Sequence, residues 1–169
     1  MNSGSAPSQA CLLLGSNIAP EQNLPRAVAL LRQYVEVTDA SLVWETPAVG
    51  SSGPNFLNAA VLVCTPLQPE QLKKQVLDAI EARLGRVRSA DKYAPRPIDI
   101  DLVAWDCQVT DPDVWRFAHA ALPVSEVLPC DLQSDRGESL AQTAARLMQA
   151  TAVRLHGQLI QPDEVVLEA

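Results

Sequence analysis

The hydrophobic pattern in the first third of the chain alternates between strand and helix spacing. Residues 10–14 form a short apolar run that ends in Gly-Ser-Asn, which is typical of a buried strand followed by a turn. Apolar residues then recur at helical spacing from position 24 to 31, so we expect an amphipathic helix that ends near Tyr34 and carries Pro25 in its first turn. Residues 35–44 are rich in β-branched side chains and predict a second strand.

The middle of the chain continues this alternation. A loop rich in Pro, Gly and Ser at residues 46–55 separates the second strand from a third at 56–64, and the two should pair as a hairpin. Residues 69–84 carry an apolar side chain at every fourth position and end before Gly85, which predicts a helix with a glycine C-cap. Residues 98–105 predict a fourth strand.

A last helix is expected at residues 138–151, so the order of elements is β-α-β-β-α-β followed by a helical extension. This order is the ferredoxin-like signature, an α+β sandwich with helices on one face of an antiparallel sheet. A chain of 169 residues fits one such domain. We therefore expect a single domain over 1–169, with flexible ends at 1–9 and 161–169.

Composition narrows the classes of ligand. The net charge of −7 argues against the broad basic face of a nucleic-acid-binding protein. No apolar run reaches membrane-spanning length, and the N-terminal residues lack a signal-peptide pattern. The four cysteines are scattered, without a CxxC pair or a histidine at metal-ligand spacing: Cys11, Cys64, Cys107 and Cys130. We expect reduced thiols in a cytoplasmic protein that binds small molecules, neither nucleic acid nor membrane.

Two carboxylates alternate with apolar residues in the predicted fourth strand. Side chains of a strand alternate between faces, so Asp99 and Asp101 share one face while the isoleucine between them points to the core. Carboxylates about 6–7 Å apart at the backbone can hold Mg²⁺, which takes one or two carboxylates and fills its shell with water and substrate phosphates. Alone, the pair is better explained as the acidic face of an exposed edge strand.

A basic segment changes that interpretation. Residues 85–96 (GRVRSADKYAPR) directly precede the paired carboxylates and concentrate Arg86, Arg88, Lys92 and Arg96 in an otherwise acidic chain. Such a cationic loop beside a metal site is the expected clamp for a polyphosphate, and its glycine and proline ends suggest a mobile lid. The alternative is a solvated surface loop. The chain has no GxxxxGK[ST] motif, so an ATP site here is not a P-loop.

Asn58 and Phe56 occupy alternate positions of the predicted third strand and therefore share a face. Asn is disfavoured inside strands, and its amide suits the edge of a heterocycle, while Phe56 is placed to stack on a flat ring. The alternative is that Phe56 belongs to the core and Asn58 bonds to backbone. Glu81, on the helix before the basic segment, is a candidate for orienting an arginine or a nucleotide.

Together these segments resemble the 6-hydroxymethyl-7,8-dihydropterin pyrophosphokinase family of folate synthesis. The matching stretches, in the family's order, are LLLGSN, ETPAVG, NFLNAAV, IEARLGRVR and YAPRPIDIDL, across roughly residues 10–107 with weaker likeness to about 140. The resemblance implies transfer of the β,γ-diphosphoryl unit of ATP to the hydroxymethyl oxygen of the pterin, with release of AMP. Such a transfer needs positioning and charge neutralisation more than a protein nucleophile.

The resemblance also implies roles for particular residues. The ligands of two Mg²⁺ ions are Asp99 and Asp101. The catalytic arginines of the lid, in which Tyr93 replaces the usual Trp, are Arg86, Arg88 and Arg96. The residues that contact the pterin are Thr46, Val49, Phe56 and Asn58. The residues that line the nucleotide site are Glu81 and His119.

The chain departs from the family pattern after His119. The family continues with a tyrosine and then a stretch that holds an arginine and a phenylalanine, the second ring that stacks on the pterin. Here the sequence HAALP leads directly into a Pro-x-x-Glu segment at 123–126, so the chain is a shortened variant. Candidates for the missing ring are Trp115 and Phe117, and Arg116 is a candidate for a basic position lost before the histidine.

Two functions therefore remain open at the level of sequence. The first is an active pterin pyrophosphokinase, supported by the metal pair, the basic lid and Asn58. The second is a catalytically weakened or non-catalytic paralogue that binds a pterin or a nucleotide. An RNA-binding ferredoxin-like domain is disfavoured, because no predicted strand displays exposed aromatic residues flanked by basic ones.

Overall fold

The structure, a computed structural model, describes residues 6–160. Within this range the strands are β1 (Ser8–Ser16), β2 (Glu36–Ala40), β3 (Val43–Thr46), β4 (Phe56–Thr65), β5 (Asp99–Trp105), β6 (Gln108–Val109) and β7 (Arg154–Gly157). The helices are α1 (Pro20–Leu31), α2, α3 (Ala118–Val127) and α4 (Leu140–Ala150). Helix α2 is continuous through Pro69–Gln71, a π-helical segment at Leu72–Leu77, and Asp78–Arg83.

One antiparallel sheet has the strand order β6-β5-β1-β4-β3-β7, and β2 also pairs with β4. The long inner strands β1 and β4 pair over their whole length, from Ser8 opposite Thr65 to Ser16 opposite Leu57. The arrangement of the first five strands with α1 and α2 confirms the ferredoxin-like α+β class that the order of elements predicts.

Helices cover both faces of the sheet. On one face, alternate residues of β1 and β4 such as Leu12 and Val61 pack with Leu24 of α1 and Ile80 of α2. On the other face, the intervening residues, such as Leu13, Ala60 and Leu62, belong to a cluster that α3 completes with its Val124 and Val127. The sequence predicted helices on one face, and the C-terminal extension supplies the second layer.

The bounds of two predicted elements need correction. Helix α1 begins at Pro20, so Pro25 lies inside the helix and not in its first turn. The single strand predicted at 35–44 is two strands, β2 and β3, because Ser41 interrupts the run. The buried hydroxyl of Ser41 accepts a hydrogen bond from the Ala60 N–H at 2.8 Å and so replaces a backbone partner at the break.

The ends of the chain and the elements after β5 also differ from expectation. Strand β1 includes Ser8 and Gln9, which the sequence assigned to a flexible end, whereas 1–5 and 161–169 lie outside the described residues. Helix α3 was not predicted, although it carries His119. Within residues 6–160, no helix is long and apolar enough to span a membrane.

The cysteines are not all reduced. Cys107 and Cys130 form a disulfide with their Cα atoms 5.9 Å apart, whereas Cys11 and Cys64 are free. The expectation of four thiols is therefore wrong for this pair. Their separation of 23 residues carries no signal in the sequence, and only the packing of α3 against the sheet brings them together.

Candidate active site

A single row across the sheet forms the floor of a cleft. Strand register places Asn58 opposite Gly15, and Gly15 opposite Asp99, so the three lie side by side on adjacent strands. A Cβ on Gly15 would lie 3.3 Å from Asn58 Oδ1 and 3.6 Å from Phe56 Cδ1. The missing side chain of Gly15 therefore leaves open space between an amide on β4 and a carboxylate on β5.

The cleft above this floor has a volume of about 180 Å³ and brings together most of the predicted site residues. Those that line it are Thr46, Val49, Phe56, Asn58, Arg96, Asp99, Asp101 and His119. A neighbouring cavity of about 450 Å³ borders α2 and the start of the lid (residues 85–96), and the predicted residues that line it are Glu81, Arg86 and Arg88.

Asn58 is buried and its amide nitrogen is fully used within the protein. The Nδ2 group donates to the Trp44 carbonyl at 3.2 Å and to Thr46 Oγ1 at 2.9 Å. Among residues 6–160 no group donates to Asn58 Oδ1, which faces the space beside Gly15. Asn58 therefore offers a ligand an acceptor held in a fixed orientation and no donor.

Asp99 is held by two arginines. Arg86 Nη1 lies 2.8 Å from one carboxylate oxygen of Asp99, and Arg96 Nη1 lies 2.9 Å from the other. Glu81, only 4% exposed, pairs with the same Arg86 nitrogen and so fixes that guanidinium between two acids. Arg88, by contrast, is largely exposed, and its nearest acid is Asp78 at 3.7 Å.

Asp101 has no such partner. It has no ion pair with any of residues 6–160, and desolvation in the cleft, together with the charge of Asp99, raises its pKa from 3.8 to about 6. Two neighbouring acids of this kind fit Mg²⁺, because a cation would relieve the repulsion and both offer hard oxygen ligands. Within residues 6–160 no group of three His, Cys, Asp or Glu surrounds a metal position, so the other ligands would be water or phosphate.

Asn17 anchors the end of the lid, although the sequence pattern marked it only as a turn residue. Its Oδ1 accepts from the Arg96 N–H at 2.7 Å, and its own N–H donates to the Arg96 carbonyl at 3.1 Å. Its Nδ2 donates to the Pro54 carbonyl at 3.4 Å, in the loop between β3 and β4. An asparagine that directly follows a buried strand was the available signal.

Tyr93 joins the lid to the loop between β3 and β4. Its ring lies so close to Gly50 that a Cβ there would be 2.5 Å from Cε1 of Tyr93, and Gly50 has a φ of +77°. The Lys92 ammonium lies 4.9 Å from the centre of the same ring. Two lid residues and the β3–β4 loop therefore meet at the mouth of the cleft.

His119 lies in the first turn of α3 and lines the cleft that contains Phe56 and Asn58, not the cavity that contains Glu81. Its ring stacks on Phe117, with centroids 5.4 Å apart and an interplanar angle of 19°. Burial lowers the pKa of His119, which keeps the imidazole neutral near pH 7. The sequence grouped His119 with the nucleotide residues, and the structure places it in the cleft that also contains Asp99 and Asp101.

The three residues proposed to replace missing family groups do not line the cleft. Trp115 packs against the core cluster beneath α3, and Phe117 lies behind His119. Arg116 is exposed, with its guanidinium over the Phe117 ring and 3.9 Å from Asp113. His119 is therefore the ring from this segment that reaches the cleft.

The sequence of the chain is similar to those of known proteins. The family model described as 7,8-dihydro-6-hydroxymethylpterin-pyrophosphokinase matches residues 11–129. The chain is 30% identical over 140 residues to a 2-amino-4-hydroxy-6-hydroxymethyldihydropteridine pyrophosphokinase of Synechocystis, which covers 76% of this chain and 71% of that protein. It is 38% identical over 95 residues to a folate synthesis bifunctional protein of Arabidopsis thaliana, which covers 54% of this chain but only 19% of that protein.

Solved structures support the fold alone. A crystal structure of wild-type Plasmodium falciparum HPPK-DHPS with pteroate superposes with a TM-score of 0.64 at 11% identity, covering 86% of this chain and 43% of that one. The chain thus spans less than half of the bifunctional proteins it resembles. With the match over residues 11–129, the chain belongs to the 7,8-dihydro-6-hydroxymethylpterin-pyrophosphokinase family.

Proposed function

We propose that this chain transfers the β,γ-diphosphoryl unit of ATP to the hydroxymethyl oxygen of 6-hydroxymethyl-7,8-dihydropterin and releases AMP, as a step of folate biosynthesis in the cytoplasm. The observation that carries the proposal is the row Asn58–Gly15–Asp99. It sets an acceptor for a heterocycle beside a carboxylate for a metal, with an open position between them. A substrate with a flat ring and a reacting hydroxyl beside it fits this spacing.

The ring would lie on the side of Phe56. Asn58 Oδ1 accepts an N–H of the ring, and Thr46 and Val49 offer backbone groups at the rim. We place His119 on the other face of the ring, because it lines the same cleft and a neutral imidazole held against Phe117 is a flat surface that stacks without a charge penalty. His119 thus takes the place of the second ring that the shortened segment lacks.

The phosphates would lie on the side of the carboxylates. Asp99 and Asp101 hold Mg²⁺, with two ions expected. When bound, Mg²⁺ neutralises charge on the phosphates and on the reacting oxygen. Arg86 and Arg96 exchange Asp99 for phosphate oxygens, and Lys92 of the lid adds a further cation. The cavity beside Glu81 and Arg88 takes the rest of the nucleotide.

The test measures AMP by chromatography after incubation of the protein with MgATP and 6-hydroxymethyl-7,8-dihydropterin. AMP should form only when both substrates are present. Asp101→Asn should reduce the rate by about 100-fold or more, because one charge that holds the metal is lost. Asp135→Asn, which changes an exposed acid that lines neither cavity, is the matched control and should leave the rate unchanged.

The outcomes separate the two candidate functions. Binding of the pterin without AMP release, even at high protein concentration, would contradict the proposal and support the non-catalytic paralogue. AMP release that persists in Asp101→Asn would contradict the metal assignment alone.

A further inference from the structure

The Cys107–Cys130 disulfide joins two elements that both reach the cleft. Cys107 lies in the turn between β5 and β6, and β5 begins with the carboxylate of Asp99. Cys130 follows the end of α3, whose first turn carries His119 into the cleft. The bond therefore ties the strand on the metal side to the helix on the ring side.

Helix α3 also contacts Leu42 and Trp44, beside the floor of the cleft, through its last turn. Glu126 accepts a hydrogen bond from the Trp44 indole and another, at 3.1 Å, from the Leu42 N–H. The Trp44 carbonyl in turn accepts from Asn58 Nδ2. A displacement of α3 would therefore reach the ring site by two routes, directly through His119 and indirectly through the orientation of Asn58.

The paired cysteines differ in accessibility from the other two. Cys107 and Cys130 are each partly exposed, so a dissolved thiol can reach the bond. Cys11 is buried in β1, where desolvation raises the pKa of its thiol to about 12 and suppresses the reactive thiolate. Cys64 lies on β4, away from the cleft-lining residues, and serves as an internal reference.

We propose that Cys107 and Cys130 form a reversible thiol–disulfide site that controls how firmly α3 is held over the cleft. Disulfides in cytoplasmic proteins are usually transient and redox-responsive. The cytoplasmic location used here rests on the proposed function. In the oxidising direction the two thiols pass two electrons and two protons to a low-molecular-weight disulfide of the glutathione class, which becomes two thiols. The oxidised protein binds the pterin ring more tightly than the reduced protein.

The test compares the whole chain after treatment with glutathione disulfide and after treatment with dithiothreitol. Thiols are counted by alkylation in denaturant, which exposes the buried Cys11, followed by mass spectrometry. The Kd of 6-hydroxymethylpterin is measured on the folded protein by fluorescence with Mg²⁺ and a non-hydrolysable ATP analogue. The oxidised chain should show two alkylated cysteines and the reduced chain four. Reduction should raise the pterin Kd by at least about threefold, a shift of roughly 0.7 kcal/mol.

Variants assign the effect to this bond. Cys107→Ser and Cys130→Ser should keep the weaker affinity of the reduced protein under both treatments. Cys64→Ser is the matched control and should respond as the wild type does. Four alkylated cysteines after oxidation, or one pterin Kd in both states despite a formed bond, would overturn the proposal.

A second readout keeps this inference separate from the proposed function. If the protein binds no pterin in either state, the proposed function fails. Amide hydrogen exchange then tests separately whether the disulfide, acting as a tether, holds α3 in place. Amides at residues 118–130 should exchange more slowly in the oxidised protein than in the reduced one. Equal exchange in the two states would overturn the tether by itself.

Discussion

At the scale of single residues, the site depends on the absence of a side chain at Gly15. Most residues of β1 serve the core, and the side chains from Ala10 to Leu14 alternate between the two clusters. At Gly15 itself the backbone forms the floor, so Asn58 Oδ1 and the Asp99 carboxylate are separated by open space and not by a side chain. The same strand therefore builds the core and leaves room for a ligand.

Gly15→Ala should weaken pterin binding by about tenfold, because the new methyl meets Asn58 Oδ1 at 3.3 Å and Phe56 at 3.6 Å. A fluorescence titration measures the Kd. Gly53→Ala, whose Cβ would meet only the flexible hydroxyl of Ser51, is the matched control and should bind as the wild type does. Unchanged affinity in Gly15→Ala would place the ring elsewhere.

Asp101 should make the metal-free protein less stable as pH rises. Its folded pKa of about 6 lies above the ordinary 3.8, so the folded state holds the proton more tightly than the unfolded state does. The stability that this proton contributes is present below pH 3.8 and is lost as pH rises through 6. Asp101→Asn has no such loss.

Thermal unfolding in EDTA across pH 4–8 measures this effect. The melting temperature of Asp101→Asn should rise relative to that of the wild type between about pH 4 and 6 and stay above it at higher pH. Asp135→Asn should follow the wild-type curve. A constant difference between Asp101→Asn and wild type over the whole range would contradict the assigned environment.

At the scale of elements, the lid and β5 form one electrostatic unit. The lid begins at the end of α2 and ends where Asn17 holds the backbone of Arg96, so both of its ends are fixed. From these ends Arg86 and Arg96 reach the two oxygens of Asp99. In the absence of ligands, Arg86 and Arg96 form ion pairs with Asp99, the carboxylate that the metal would need.

Removal of either arginine that holds Asp99 should therefore have opposite effects on metal binding and on turnover. Arg86→Ala or Arg96→Ala should strengthen binding of Mn²⁺, as a probe for Mg²⁺, in the absence of nucleotide, because Asp99 loses a competing cation. Turnover with MgATP should fall by about 100-fold or more. Electron paramagnetic resonance of free Mn²⁺ measures the first effect and AMP release the second.

Arg88→Ala supplies the comparison, because Arg88 contacts Asp78 and not Asp99. Its Mn²⁺ affinity should equal that of the wild type. Weaker Mn²⁺ binding in Arg86→Ala or Arg96→Ala would show that these arginines support the metal site and do not compete with it.

The sequence predicted the elements whose pattern is local. The alternation of β4 and β5 predicted which residues share a face, and the i, i+4 stripe predicted α2. Helix α3 escaped prediction because it is apolar on nearly all sides and contains Pro123, so it shows neither a stripe nor an uninterrupted helical run. The contacts of Asn17 with Arg96 and the Cys107–Cys130 bond depend on distant segments that only packing brings together.

At the scale of the whole molecule, the two faces of the sheet have separate roles. The face beneath α1 and α2 is closed by buried apolar side chains, whereas the face beneath α3 holds both a core cluster and the cleft. Stability and pterin binding should therefore respond to different substitutions.

Leu24→Ala tests this separation, because Leu24 is fully buried in α1 on the face away from the cleft. The substitution should lower the free energy of unfolding by about 2–4 kcal/mol, measured in urea, and leave the pterin Kd of the folded protein unchanged. An altered Kd with intact folding would contradict the separate roles of the two faces.

The most direct test of the account is a crystal structure of the chain with 6-hydroxymethylpterin, Mg²⁺ and a non-hydrolysable ATP analogue. We predict the pterin between Phe56 and His119 with a ring N–H on Asn58 Oδ1, and the phosphates beside Asp99 and Asp101 with Arg86 and Arg96 turned toward them. A pterin in the cavity beside Glu81 and Arg88, or phosphates away from both aspartates, would contradict it.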